Sequence, residues 1–143
     1  MEAITQQKIS RLIQQFEART LIKSDWTHEA HLIVAVWYVW SYSYDEALKR
    51  VREGIFCYNE AVGTVNSDSS GYHETLTQFW LKLANWYVDR HTFSSLPAAC
   101  KGFLASQFCD KGFPLIYYSR DLLFSVEARK RWIAPDLRPL SFD

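Results

Sequence analysis

The chain has 143 residues, about one domain's length, and enough apolar side chains to bury a core without disulfides or a structural metal. Sixteen basic and sixteen acidic residues cancel to zero net charge, so no long-range field draws it to phosphate backbones or anionic lipid, and neither nucleic acid nor a membrane is an expected partner. A hydrophobic content of 48% with four prolines and five glycines excludes disorder, and the longest apolar run, Leu32 to Trp40, falls far short of the roughly 20 residues needed to cross a bilayer.

The polar start "MEAITQQKIS" lacks a secretory core, and Cys57, Cys100 and Cys109 form no C-x-x-C pair. A reducing, cytoplasmic setting with three buried thiols is the expectation.

Along the chain, Ile9, Leu12, Ile13 and Phe16 fall at i, i+3, i+4 and i+7, which predicts a first amphipathic helix over 5–18. After the polar link "TLIKSD", Asp25 or Thr27 caps a second helix, apolar on nearly all sides from Leu32 to Trp40 and therefore the central one. "SYDE", Ser43 to Glu46, has the capping-box pattern and starts a third helix near Tyr44, with Ala47, Leu48, Val51 and Ile55 inward and Gly63 at its end.

"GTVNSDSSG" reads as a turn-rich loop, from which Ser70 caps a fourth helix carrying Leu76, Phe79, Leu83 and Trp86 or Tyr87 to about Arg90. "SSLPAACKGFLASQF" gives a fifth, with Pro97 in its first turn. Past Cys109 the pattern weakens: "DKGFP" is a loop, "LIYYSRDLLF" fits helix or extended chain, and Ser125 caps a short last helix in "SVEARKRW". With no strand alternation, residues 1–143 are expected to form a single all-α domain, a bundle of five to six helices. Trp37, Trp40, Trp80 and Trp86 are expected in its core.

Helix two opens with two histidines. His28, His31, Ala35, Tyr38 and Tyr42 follow steps of three and four and so share a stripe, while His73, Thr77, Trp80, Ala84 and Tyr87 make a similar stripe on helix four. H-x-x-H spacing offers two imidazoles to one metal ion, with His73 as the third ligand and zinc as the first choice, ahead of iron, nickel or manganese. Glu29 and Glu74 each adjoin a histidine, and Glu74 is the candidate general base. Trp26, Tyr38, Tyr72 and Arg120 are the candidate substrate contacts. A metal-free alternative uses the two helix starts as an anion pocket, with Arg120 or Arg138 pairing the anion. His91 is read separately, as a cation favoured at a helix C-terminus.

"WTHEAH", "CYNEAVGTVNSDSSGYHETLT" and "YYSRDLLFSVEARKRWIAPDLRPL" together resemble a family of small bacterial proteins in which W-T-H-x-A-H and G-Y-H-E-T-x-T recur at similar separation. The resemblance spans most of the chain and implies no activity or cofactor. It draws attention to Trp26, Thr27, His28, His31, Asn66, Tyr72, His73, Glu74, Thr75, Thr77, Tyr118, Ser119 and Arg120.

The sequence thus predicts a buried His/Glu site between helices two and four that binds a metal ion or small anion, and an enzyme acting on a small molecule is the best use of such a site. The rival is an interaction or homodimerisation module in which the aromatic surplus forms the contact face and the histidines are structural.

Overall fold

The computed structural model of the protein describes residues 3–143, and all regular structure among them is helical. Residues 1 and 2, assigned by sequence to the same domain, lie outside the described residues. The expected all-α bundle is present. Among the described residues it has seven α-helices where five or six were predicted, because the weakly patterned C-terminal third supplies two short ones.

Helix α1, Gln6–Ala18, starts where the Thr5 hydroxyl accepts the Lys8 N–H, and it buries Ile9, Ile13 and Phe16. Helix α2, His28–Ser41, is capped by Thr27; Asp25, the other candidate cap, sits in a 3₁₀ turn over Lys23–Asp25. Because α2 is apolar on nearly every side, it occupies the middle and packs against α1, α3, α4 and α5. Helix α3, Tyr44–Ala61, begins at Ser43, which accepts from the Glu46 N–H. Glu46 accepts from Arg50 Nε at 2.9 Å, one turn along the helix, in place of the expected return bond to the cap.

Helix α4, Glu74–Arg90, starts later than Ser70 would place it. Gly71 at φ +78° turns the chain, Ser70 Oγ donates to the Val65 carbonyl at 2.6 Å, and His73 becomes the cap. Helix α5, Leu96–Leu104, has Ser95 as its cap and Pro97 in its first turn, and a separate 3₁₀ turn, Gln107–Cys109, follows it. Beyond a 3₁₀ turn over Phe113–Ile116, Ser119 and Ser125 cap the short helices α6, Arg120–Leu123, and α7, Val126–Lys130.

The last dozen residues have no regular structure but are fastened to the bundle. Buried Thr75 donates through Oγ1 to the Arg131 carbonyl at 2.8 Å and accepts the Ile133 N–H at 3.2 Å. Tyr118 Oη donates to the Ile133 carbonyl and Tyr117 Oη to that of Ser141, each at 2.6 Å. Asp136 takes both the N–H and the hydroxyl of Ser119.

The four tryptophans expected in the core are not fully there: Trp37, Trp80 and Trp86 are half-buried, and Trp40, in the last turn of α2, is 39% exposed. Indoles are too large to be enclosed easily, and the fully buried aromatic rings are Phe16, Tyr38, Tyr58, Phe79, Phe103 and Tyr118. Of the cysteines, Cys100 is buried, with its thiol pushed up to about 12 by that burial, while Cys57 and Cys109 are half-buried. Among the described residues no helix is long and apolar enough to cross a membrane.

Candidate functional site

Helices α2 and α4 are neighbours, and a cleft of about 410 Å³ opens beside them, closed by α3 and the loop over residues 63–73. Trp26 and His31 form one wall, Trp80 and Leu76 another, and Val51 and Ile55 of α3 add an apolar floor. Tyr72, His73 and Thr64 bring in the loop.

His31 is positioned from its own helix start. Thr27 caps α2 through its hydroxyl, which accepts the Ala30 N–H at 3.1 Å, and its carbonyl accepts from His31 Nδ1 at 2.7 Å. A carbonyl only accepts, so the proton is on Nδ1 and the lone pair on Nε2. The ring lies against Trp26, centroids 3.7 Å apart, and Trp26 in turn stacks on Phe16 at 4.9 Å. Burial lowers the His31 pKa to about 4, against the opposing bond to Thr27, and the nearby charges of His28 and Lys111 add to the lowering. At neutral pH His31 is therefore an uncharged acceptor, and its Nε2 makes no hydrogen bond with any described residue.

His28 and His73 are engaged differently. His28 Nε2 donates to the Cys109 carbonyl at 2.7 Å, with the ring edge-on to Trp80, and His28 is not among the residues lining the cleft. His73 is the α4 cap: Nδ1 accepts the Leu76 N–H at 3.1 Å and Nε2 donates to the Leu123 carbonyl at 2.7 Å. Burial lowers its pKa, so it is a neutral imidazole with both nitrogens spent on backbone. Among the described residues no group of three His, Cys, Asp or Glu side chains stands together as a metal ligand set. H-x-x-H spacing put His28 and His31 on one face, but their rings bond to different carbonyls, those of Cys109 and Thr27.

Glu74, the candidate base, is buried and saturated. Oε1 accepts from Arg52 Nε at 2.8 Å and from Tyr72 Oη at 2.6 Å; Oε2 accepts from Arg52 Nη2 at 2.7 Å and from the Gln78 amide. Burial alone would raise its pKa, but the Arg52 fork, the Tyr72 hydroxyl and the Gln78 amide outweigh it and hold the carboxylate below its usual range. Four donors fill the four lone-pair positions of a carboxylate, so Glu74 is placed as an ion-pair anchor and not as a proton acceptor. It faces a second cleft, of about 680 Å³, on the other side of Tyr72.

The remaining predicted contacts divide. Trp26 and Tyr72 line the first cleft. Tyr38 does not: its ring is buried two helical turns beyond His31, and its hydroxyl donates to Glu17 Oε2 at 2.8 Å. Arg120 is exposed in the first turn of α6 and lines neither cleft. His91 stands at the C-terminus of α4, as expected, with Nδ1 on the Tyr87 carbonyl.

Sequence reasoning missed Asn59 as a wall residue and Arg129 as a loop clamp. Asn66 Oδ1 accepts from Asn59 Nδ2 at 3.0 Å and from the Tyr72 N–H at 2.9 Å, while Asn66 Nδ2 donates to the Phe56 carbonyl at 3.2 Å. Arg129 Nη1 donates to the Gly71 carbonyl at 3.0 Å. The turn-forming composition of "GTVNSDSSG" signalled the loop; nothing local signalled its partners on α3 and α7.

Comparison with protein-family models, with curated proteins and with solved structures gave no match. The geometry therefore carries the functional argument alone.

Proposed function

We propose that the protein binds a small, uncharged, planar molecule in the cleft between α2, α3, α4 and the 63–73 loop, with an N–H or O–H of the ligand donating to His31 Nε2. The observation that carries this reading is the pairing of that free lone pair with a lining free of charge: among the described residues no Asp, Glu, Lys or Arg lines the cleft. An ionic ligand there would lose hydration without gaining a counter-ion, a heavy penalty in a half-enclosed apolar site. Trp80 offers apolar ring surface, Trp26 backs the His31 ring, Thr64 and Asn59 offer further polar contacts, and the volume lies within the range of small-molecule sites.

This keeps the small-molecule part of the sequence expectation. It replaces the metal or anion with a neutral ligand, since both helix starts are already capped by Thr27 and His73. It also favours binding over acid–base catalysis, because a histidine with a pKa of about 4 is a poor proton acceptor near neutrality.

The test is a titration with indole against 1-methylindole, followed by calorimetry or amide shifts. Indole is expected to bind roughly five- to tenfold more tightly than its methylated analogue, and His31→Phe, which keeps the flat ring, is expected to erase the difference. Equal binding of the two probes by the native protein, or absence of binding by either, overturns the reading.

A further inference from the structure

We infer that the second cleft, between α3, the start of α4 and the segment following α7, is a separate site for a planar aromatic anion such as an aryl carboxylate. The inference stands independently of the neutral cleft.

The walls suit a flat ring. Phe56 is an apolar ring 45% exposed, and it meets Tyr72 edge-on at 6.4 Å. Trp132 is set across the cleft, held by the fastening of Ile133 to Thr75 and Tyr118, with its ring edge-on to Tyr118.

The cations suit the anion. Arg52, Lys130 and Arg131 line the cleft against two carboxylates, Glu53 and Glu74. Glu74 is consumed by Arg52, which spends only Nε and Nη2 on it and keeps further N–H donors on a side chain 44% exposed. Lys130 and Arg131 are paired with Asp68 at 3.3 Å and Glu127 at 2.8 Å, but neither of those carboxylates lines the cleft. Both pairs are exposed on both sides, the kind of surface contact that contributes little and yields easily to a better-placed anion. A fourth cation, Lys82, has its ammonium 5.0 Å from the Trp132 ring centre, within cation–π range. A guanidinium fork beside aromatic walls recognises a carboxylate carried on a ring.

Two-dimensional NMR of the full chain would follow the Trp132 indole N–H during titration with 2-naphthoate, with 2-naphthamide as the neutral counterpart and acetate as the anion without a ring. The naphthoate is expected to shift that resonance and to bind roughly tenfold or more tightly than either control, with affinity falling as salt is raised. The surface double variant Lys130→Gln/Arg131→Gln is expected to lose that advantage, and His31→Phe to keep it. Equal affinity for naphthoate and naphthamide, an unmoved Trp132 signal at millimolar probe, or undiminished naphthoate binding by the double variant overturns the proposal. Loss of naphthoate binding in His31→Phe would also overturn it, by placing the probe in the other cleft.

Discussion

His31 lies on Trp26 with ring centres 3.7 Å apart and its Nδ1 tied to the Thr27 carbonyl, so one imidazole is both part of an aromatic stack and the open acceptor of a cleft. Its lowered pKa links that position to stability. The unfolded chain protonates near the ordinary value of 6.5 and the folded chain only near 4, so between these values the unfolded state holds more protons and folding weakens as pH falls. The contribution is intact above about pH 6.5 and is lost progressively toward pH 4, a loss on the order of 2–3 kcal/mol. Urea unfolding of native protein and His31→Gln across this range should show a shallower pH slope in the variant. Protonation also turns Nε2 from acceptor to donor, so indole affinity should fall over the acid end of the same range.

Glu74 has the same sign of pH dependence from a different cause, hydrogen bonding to its charged form. With its pKa held below the usual carboxylate range, its contribution is present above the unfolded carboxylate pKa and is lost as pH falls through the lower folded value. Glu74→Ala should cost roughly 1–3 kcal/mol in chemical denaturation, because it strips the Arg52 fork, Tyr72 Oη and Gln78 of their shared acceptor. Arg52 is half-exposed and can rehydrate, which keeps the cost below that of a fully buried broken pair. A thermodynamically silent substitution would mean that Glu74 is not the anchor described.

Two glycines of the loop separate backbone conformation from crowding. Gly63 and Gly71 both have φ near +80°, but a Cβ on Gly63 meets nothing, whereas one on Gly71 would lie 2.5 Å from Asn66 Oδ1 and from the Val65 carbonyl. Gly63→Ala should cost about 1 kcal/mol, from the left-handed conformation alone. Gly71→Ala should cost clearly more, roughly 2–4 kcal/mol, and should disturb the Asn59 and Tyr72 contacts of Asn66. Thermal melts and the Asn66 side-chain amide resonances read both effects.

The helices were legible in the sequence because their signals are local. Ile9, Leu12, Ile13 and Phe16 announce α1 by spacing, and Thr27, Ser43 and Ser125 announce starts by their place before a periodic run. The site was legible only as far as residue type. Ser70 lost the α4 cap to His73 because Gly71 turns the chain and Leu123, fifty residues away, offers a carbonyl to the imidazole. Glu74 looked like a free base since its partner Arg52 is on another helix. Tyr38 shares the His31 stripe, yet seven residues of helix carry it about 10 Å along the axis and out of the cleft.

His73 should behave as a cap with a second tie. His73→Ala removes both the bond from the Leu76 N–H and the bond to the Leu123 carbonyl, an expected loss of roughly 1–3 kcal/mol. His73→Asn should recover about 1 kcal/mol of that, because asparagine is a good cap but is too short to reach Leu123. Equal destabilisation by the two variants would assign the role to the Leu123 contact alone.

Thr75 ties the end of the chain to the start of α4, and its replacement by valine tests whether that tie sets the shape of the second cleft. Valine keeps the buried volume but can neither donate to the Arg131 carbonyl nor accept the Ile133 N–H. The expected cost is roughly 1–3 kcal/mol, the lower part of that range if water reaches the half-exposed partners. Hydrogen exchange should show the Ile133 amide losing protection while amides in the middle of α2 keep theirs, since those are held by the core and not by the tail. Trp132 stands between the two residues that Thr75 grips, so the same substitution should weaken 2-naphthoate binding while leaving indole binding near the native value. Weakening of both ligands together would mean that the two clefts open and close as one unit, with Tyr72 as their common wall.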